Sequence, residues 1–316
     1  MPTLAEYAKL ANDKVDAGVL INIFTADELS RAMDFETMEG NAIKYQRENA
    51  LPTTSTHAVG DTWEDTEATY TRKSAELTIL GLQSPLDRYA LQTRSDVQSQ
   101  EAVLFQGMAK SVGRKIGQLL IQGEPEATST EFEGLDSLAR ADTRMMAMDN
   151  GEVNGPGTNE TELTLDRLDA MIDLIEDGKP DALIMNKTMR RKLTQLSRST
   201  GSGVLINQID FFGMQILQYD GINIMISDFI TNAEGYDGDG GGWGSSTATS
   251  IFAVKFGKEK QGISMLHNGP VLKPDVQNLG IKENKNENLY RMVVYTQVIA
   301  RSAKMFAALG GIDSAA

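Results

Sequence analysis

The stretch that decides the fold spans residues 51–81 and reads LPTTSTHAVGDTWEDTEATYTRKSAELTILG. It holds eight threonines, together with valine, tyrosine and tryptophan, and these residue types favour extended strands. Gly60-Asp61 and Glu64-Asp65 predict turns. Because its first twenty residues carry few large apolar groups, the stretch predicts a polar two-stranded ribbon, which is marginally stable alone in water. The ribbon therefore needs a surface to lie on, either its own domain or, as an extended arm, a neighbouring subunit.

Residues 96–122 predict a long amphipathic helix after the ribbon. Apolar residues recur at near-helical spacing at Leu104, Met108, Val112, Ile116 and Leu119. Polar residues fall along another face at Lys110, Arg114 and Gln118. Gly123 and Pro125 end the helix. At about 1.5 Å per residue such a helix is about 40 Å long, which suits a structural spine.

The flanking segments predict an α+β chain. Residues 1–50 predict an arm with two short helices, one starting at the capping box Thr3-x-x-Glu6 and one running from Ala26 to Met38. Residues 132–163 look loop-rich, with Asn154-Gly155-Pro156-Gly157 as the clearest breaker.

The second half of the chain predicts two helices and a covered sheet. Thr164 caps an amphipathic helix that Gly178 and Pro180 terminate, ALIMN (182–186) reads as a buried strand, and a short helix follows from Lys187 to Leu196. Beyond Phe211 the strand candidates are MQILQY, INIMIS, SIFAVKF, GISML and LYRMVVYTQVIA. The last has apolar residues on both faces, which predicts a strand in the middle of a covered sheet.

Composition excludes several classes of protein. The 316 residues include no cysteine, so disulfides, thiolate metal sites and cysteine nucleophiles are excluded. The two histidines, His57 and His267, are interpreted as surface or hydrogen-bonded residues. A net charge of −14 argues against tight nucleic-acid binding as the main function. The start Met1-Pro2-Thr3 lacks a signal sequence and there is no apolar run of membrane-spanning length, so we expect no membrane and folding in a cytoplasm.

Motifs for catalysis or cofactors are absent from the sequence. DGDGGG (237–242) hints at a calcium loop, but Gly241 and Ala248 occupy positions that need oxygen ligands. No P-loop, GxSxG or HExxH motif occurs, so we predict no catalytic residue, no metal site and no cofactor. One basic cluster stands out, made of Lys187, Arg190, Arg191, Lys192 and Arg198. Three alternatives stay open for it: a solvated helix face, a patch that faces another subunit, or a patch that faces DNA.

Several segments, in their order and spacing, resemble the major capsid proteins of tailed bacteriophages. They are TLAEYAKLANDKVDAGVLINIF (3–24), NAIKYQRENALP (41–52), VGDTWEDTEATYTRKSAELTILG (59–81), FEGLDSLA (132–139), LTLDRLDAMIDLIEDGKPDALIMNKTMRRKLTQLSRSTGSG (163–203), YDGINIMISDF (219–229), TSIFAVKFGKEKQGISMLHNG (249–269) and YRMVVYTQVIARSAKMFAALGGI (290–312). The resemblance covers nearly the whole chain and implies an α+β fold of the Hong Kong 97 type. It also implies that the ribbon is that family's E-loop.

The resemblance implies five parts of the chain. They are an N-terminal arm at 1–45, an E-loop at 46–92, a peripheral domain at 93–178 with the spine helix at 96–122, an axial domain at 179–285, and a return to the peripheral domain at 286–316. The predicted intersubunit contacts of the E-loop are Trp63, Glu64, Asp65, Tyr70, Arg72 and Lys73. Lys73 has no identifiable asparagine partner, so we expect none of the lysine–asparagine cross-links that some members of the fold form.

The resemblance also implies function and partners. The chain is expected to be a structural coat protein without enzyme activity, whose hexamers and pentamers form an icosahedral shell in the virion, assembled in the host bacterial cytoplasm. Its expected partners are copies of itself, a separate scaffolding protein, a portal protein, a decoration protein and, by weak non-specific contact, packaged double-stranded DNA. A separate scaffold is expected because no long charged prefix precedes the arm. The alternatives are an encapsulin-like cellular compartment and an unrecognised hydrolase.

Overall fold

The computed structural model of the protein describes residues 29, 32–40, 42–50, 52–89, 92, 100–128, 130–153, 160–176, 178–199, 206–211, 214–234, 247–257, 262–268 and 274–315. Within these residues the α-helices are α1 (Gln100–Gln122), α2 (Leu135–Ala141), α3 (Leu165–Asp173) and α4 (Lys187–Ser199), with a 3-10 turn at Ala303–Met305. The strands are β1 (Asp34–Met38), β2 (Ala42–Ala50), β3 (Thr69–Glu76), β4 (Thr78–Asp87), β5 (Met145–Ala147), β6 (Ala182–Met185), β7 (Ile206–Phe211), β8 (Met214–Tyr219), β9 (Ile222–Ile226), β10 (Ala248–Val254), β11 (Ile263–Asn268), β12 (Asp275–Ile281), β13 (Glu287–Ala300) and β14 (Phe306–Asp313).

Helix α1 confirms the predicted spine over its described residues. Its buried residues recur every three or four positions at Met108, Val112, Ile116 and Leu119, and its polar residues Lys110, Arg114 and Gln118 are exposed. The helix ends before Gly123, where an added Cβ would lie 2.2 Å from the carbonyl oxygen of Phe132. Only glycine lets the chain return this closely against the end of the helix.

Strand β13 organises the first sheet. It pairs with β4 along one edge, from Glu287 opposite Asp87 to Thr296 opposite Thr78, and with β12 and β11 along the other edge. Strand β1 then extends the sheet by parallel pairing with β11. The central position predicted for this strand is therefore confirmed. Helix α1 covers one face, whereas Arg291 and Tyr295 on the other face are exposed, so the sheet is not covered on both faces of this subunit.

The second sheet has seven strands in the order β5-β14-β10-β6-β9-β8-β7. Strand β6 lies inside it, and all four of its residues are completely buried. Leu183 and Met185 pack with apolar residues of α3 and α4 on one side, whereas Ile184 packs with those of α1 and α2 on the other. This alternation follows from the two-residue period of a strand, and it joins two helical layers through one sheet.

The ribbon is built by β2 and β3, which pair antiparallel from Ala42 opposite Glu76 to Ala50 opposite Thr69. The prediction that both of its strands lie within 51–81 is wrong, because β2 precedes that stretch. Residues 52–68 continue beyond this pairing without further strand structure and are almost entirely exposed. A turn at its tip places Gly60 at a φ of +100°, and the backbone N–H of Asp61 donates to Ala58 across 3.2 Å. The turn predicted at Gly60-Asp61 is confirmed, but Glu64-Asp65 forms no turn.

Two other local predictions are wrong. Asp34–Met38 is strand β1 rather than the end of a helix, because its backbone pairs with β11 and its Met38 side chain is buried. The segment 132–163 contains helix α2 and strand β5, and α2 buries Leu135, Leu138 and Ala139 at helical spacing. The helix predicted at Thr3, the breaker at Asn154-Gly155-Pro156-Gly157 and the DGDGGG loop lie outside the described residues.

Candidate intersubunit surfaces

A buried carboxylate joins both strands of the ribbon to the body of the subunit at its root. Asp142 follows the last residue of α2, and both of its carboxylate oxygens lie 2.6 Å from Nη1 of Arg47 on β2. Its Oδ1 lies 3.0 Å from Nζ of Lys73 on β3. Arg47 also donates to the carbonyl oxygen of Ala300 at the end of β13. The side chains of Arg47 and Asp142 are only 6% and 7% exposed, so this ion pair is shielded from water.

The aromatic ring of Tyr45 completes this root. It lies 5.8 Å from the guanidinium carbon of Arg47, a distance typical of a cation–π contact. Burial raises the pKa of the Tyr45 hydroxyl, which keeps it neutral. Sequence reasoning missed Arg47 and Asp142 because 95 positions separate them and neither belongs to a motif. No local signal identifies such a pair.

Beyond the root, the ribbon exposes large apolar side chains. Val59 is fully exposed, Trp63 is 76% exposed and Tyr70 is 61% exposed. The imidazole of His57 lies over the Trp63 indole with a centroid distance of 4.2 Å, and its Nε2 is 2.8 Å from the hydroxyl of Ser55. His57 is thus hydrogen-bonded, as predicted. His267, in contrast, is a buried strand residue rather than a surface one.

The predicted contacts of the E-loop divide into two groups. The exposed group, which is available to another molecule, consists of Trp63, Glu64, Asp65, Tyr70 and Arg72. Lys73 is different because its ammonium group is engaged by Asp142 within the subunit. Its charge therefore serves the root of the ribbon.

Helix α4 is held in place by buried polar groups at its N-terminus. The Asn186 side chain accepts a hydrogen bond from the Met189 backbone N–H across 2.8 Å, which caps the helix. Its amide nitrogen donates to Thr249 across 2.9 Å and to Asn232 across 2.6 Å. These bonds tie the helix to β10 and to the segment after β9, so α4 is a rigid platform for the charges it carries.

The predicted basic cluster lies on the outer side of α4. The opposite side is buried through Met189, Leu193 and Ser197. Arg190, Arg191 and Arg198 are exposed, and within the described part of the chain they form no ion pair. Lys187 pairs with Asp228 at 2.7 Å, and Lys192 donates to the carbonyl oxygen of Asp313. Among the described residues, the cluster therefore consists of three arginines without an ion pair and two lysines that are engaged within the subunit.

Two half-buried acids, Glu234 and Asp136, lie near the other side of the second sheet. Burial raises the pKa of Glu234 to about 7, against the lowering effect of a hydrogen bond donated by the Ser250 hydroxyl. Burial also raises the pKa of Asp136, and the adjacent Arg140 opposes this shift. Among the described residues no group of three or more histidine and carboxylate side chains could hold a metal ion, and no helix is long and apolar enough to cross a membrane.

No protein-family model and no curated protein matches the sequence. Solved structures do match the fold. A chain of the holo-SrpI encapsulin complex from Synechococcus elongatus has a TM-score of 0.66 at 15% identity, covering 91% of this chain and 88% of that one. A chain of Microbacterium phage Oxtober96 has a TM-score of 0.61 at 13% identity, covering 90% of each chain.

The capsid of a native GTA particle is a third match, with a TM-score of 0.58 at 13% identity over 90% of each chain. At these identities the likeness concerns the fold and not the sequence. The α+β fold of the Hong Kong 97 type that the resemblance implied is confirmed.

Proposed function

We propose that this chain, which has the Hong Kong 97-type capsid fold, is the major coat protein of a tailed bacteriophage. In this proposal, copies form hexamers and pentamers that close into an icosahedral shell around double-stranded DNA. The observation that carries the proposal is the ribbon, because it combines a buried ionic root with an exposed apolar outer part. Within a single subunit these apolar side chains stay exposed, whereas in a shell they can be buried against a neighbouring copy.

The energetics of the ribbon favour a neighbouring subunit as its resting surface. Burying a large apolar side chain contributes about 1.5–3 kcal/mol, and Val59, Trp63 and Tyr70 obtain little of this within their own subunit. Trp63 and Tyr70 also suit an interface, since each carries a polar group that can find a partner while its ring is buried. The ribbon is therefore proposed to lie on an adjacent copy, and the alternative that it packs on its own domain has less support from the exposed residues 52–68.

The proposed partners follow the same reasoning. Copies of the chain are the principal partner, with a separate scaffolding protein, a portal protein and a decoration protein as additional ones. Contact with packaged DNA is proposed to be weak and non-specific, because the net charge of −14 opposes tight binding of a polyanion. The chain is proposed to be a structural protein of the virion without enzyme activity, assembled in the host cytoplasm.

The proposed division into arm, E-loop, peripheral domain and axial domain keeps the boundaries given above. The two sheets add a detail to it. Strands β11 and β12 lie in the sheet of β13, whereas β14 lies in the sheet of β6 and β10. The chain thus crosses between the two sheets more than once, which holds the two proposed domains together.

Electron microscopy of phage-producing cells tests the proposal. Icosahedral shells that contain this chain and DNA, with a tail at one vertex, are the expected result. If the chain stays soluble and unassembled in the presence of every other structural protein of the phage, the proposal is wrong. Boiling the purified shells in detergent should release single chains, because no covalent cross-link is expected.

An encapsulin-like compartment is the second candidate, and the likeness to the encapsulin chain supports it. Both candidates use a shell, so shell formation does not separate them. Their contents do: a coat protein encloses a genome, whereas a compartment encloses a protein cargo. Nuclease-protected DNA of uniform length inside purified particles would favour the coat protein, and a single co-purifying protein without DNA would favour the compartment.

A further inference from the structure

Helix α3 carries a stripe of negative charge on its outer side. Its inner side buries Leu168, Met171 and Ile172. The outer side presents three exposed carboxylates at helical spacing, Asp166, Asp169 and Asp173. The one cation in this helix, Arg167, lies instead against Gly151.

The side chain of Tyr219 lies beside part of this stripe. Its hydroxyl donates to Asp169 across 2.6 Å. Burial raises the pKa of Tyr219, and the negative charges of Asp169, Asp220 and Asp166 raise it further. Two carboxylates of the stripe, Asp166 and Asp169, therefore act on the Tyr219 hydroxyl, together with Asp220.

The exposed guanidinium groups of α4 form a stripe of the opposite sign. Arg190 and Arg198 are eight positions apart, which is about 12 Å along a helix, and Asp166 and Asp173 are separated by about 10 Å. The two stripes are therefore similar in length. Neither is neutralised by the other within the subunit, since the described residues include no ion pair between them.

Other charges around the same sheet behave differently. Lys179 pairs with Asp220, Lys304 pairs with Glu176, and Lys187 pairs with Asp228. These three lysines are engaged within the subunit. The exposed arginines of α4 and the exposed aspartates of α3 form no ion pair among the described residues, and they make two stripes of opposite sign on two helices.

We propose that the arginine stripe of α4 on one copy docks against the aspartate stripe of α3 on the next copy. The inference rests on the proposed function, because it names a contact between copies in the shell. Two chains that each carry a net charge of −14 repel at long range, so a contact between them needs local complementarity of this kind. The two stripes are different surfaces, so the contact is of the heterologous type that can close into a ring.

DNA is the competing partner for the arginine stripe. Phosphate groups bind exposed arginines well, and the binding weakens steeply with salt. The second copy is favoured because the same chain carries an unpaired acidic stripe of matching length, which DNA would repel. Contact with another copy pairs the charges of both stripes, whereas contact with DNA pairs only the charges of the arginine stripe.

Charge reversal in the full chain tests the contact, in the expression system where the unmodified chain forms shells. The variants are R190E/R191E, D166K/D173K and a chain with all four changes. Asp169 stays unchanged because it holds the Tyr219 hydroxyl. The control is K110E/R114E, which reverses two exposed cations on another helix, α1.

Each double reversal should lower the yield of shells at least about tenfold. The chain with all four changes should recover to within about threefold of the unmodified yield, because the swapped charges again attract. The control K110E/R114E should give the same yield of shells as the unmodified chain. Mixing the two double-reversal chains should restore hexamers that neither chain forms alone, because the two chains can alternate around a ring of six, and native mass spectrometry of the mixture detects complexes containing both.

Several outcomes would overturn the inference. Normal shells from R190E/R191E that fail to retain DNA would assign the arginine stripe to DNA. No recovery in the chain with all four changes, with circular dichroism showing that every chain is folded, would also overturn it. If a reversal chain does not fold, R190Q/R191Q replaces it and should lower the yield in the same direction. An unmodified chain that forms no shells in the presence of every other structural protein of the phage would instead refute the proposed function itself.

Discussion

Replacing Asp142 with asparagine removes the charge that holds the root of the ribbon. Asparagine keeps the shape of the side chain but leaves Arg47 without a counter-charge at a site where it is 6% exposed. Arg47 keeps its hydrogen bond to the carbonyl of Ala300, so the side chain stays in place with an unbalanced charge. Breaking a buried pair in this way costs about 3–5 kcal/mol.

The second ion pair of Asp142 adds little to this cost. Lys73 is 31% exposed, and ion pairs that reach water contribute about 0–1 kcal/mol. The expected loss of unfolding free energy for Asp142→Asn is therefore about 3–5 kcal/mol. Since domains are stable by only about 5–15 kcal/mol, this loss is a large fraction of the total.

Urea denaturation of the unassembled subunit measures the effect. Asp228→Asn is the matched control, because the Lys187–Asp228 pair has a similar distance of 2.7 Å but both side chains are 67% exposed. The control should lose less than about 1 kcal/mol. Hydrogen exchange provides a second readout, in which the amides of β2 and β3 should lose protection first, because their strands lose their attachment to the body.

Equal and small losses in the two variants would refute this reasoning. Such a result would mean that water reaches Arg47 and screens its charge. A large loss in Asp142→Asn with unchanged exchange in β2 and β3 would refute the attachment role while leaving the stability estimate intact.

Three further changes have defined outcomes. Trp63→Ala should leave the unfolding free energy within about 0.5 kcal/mol of the original, because the indole is 76% exposed, but it should reduce the yield of shells. The neighbouring change Thr62→Ala should alter neither the unfolding free energy nor the yield of shells. Burial raises the pKa of Glu234 from its usual value of about 4.5 to about 7, so the folded chain binds the extra proton and its stability falls as pH rises from about 4.5 through about 7. Glu234→Gln should abolish that slope and add roughly 1–3 kcal/mol at pH 8, as measured by urea titrations at pH 5 and pH 8. Tyr290→Phe removes a hydrogen bond of 2.6 Å to Glu101 and should lower the unfolding free energy by about 1–3 kcal/mol in the same urea titration. An unchanged urea midpoint would show that water takes the place of the Tyr290 hydroxyl.

Local patterns predicted most helices and strands because each pattern reports one element. The spacing of apolar residues in 96–122 identified the spine, and the two-residue period of INIMIS identified β9. Strand β1 was mistaken for a helix because Asp34–Met38 carries no strong period of its own. It becomes a strand through hydrogen bonds to β11, whose residues lie more than two hundred positions away.

The candidate surfaces were predicted less completely. The sequence identified the basic cluster and the exposed members of the ribbon, since both are contiguous. It did not separate the free arginines of α4 from Lys187 and Lys192, because the groups that engage those lysines come from other parts of the chain.

The sequence by itself determined most of the helices and strands and their order, because hydrophobic periodicity and turn residues act over a few positions. The type of fold followed from the resemblance to the major capsid proteins of tailed bacteriophages. Only the tertiary structure decided which charges are paired. Arg47, Lys73 and Asp142 are far apart in the chain and meet because the ribbon and α2 converge on the end of β13. Ion pairs depend on distances of a few ångströms between side chains, and such distances exist only after the sheets have packed.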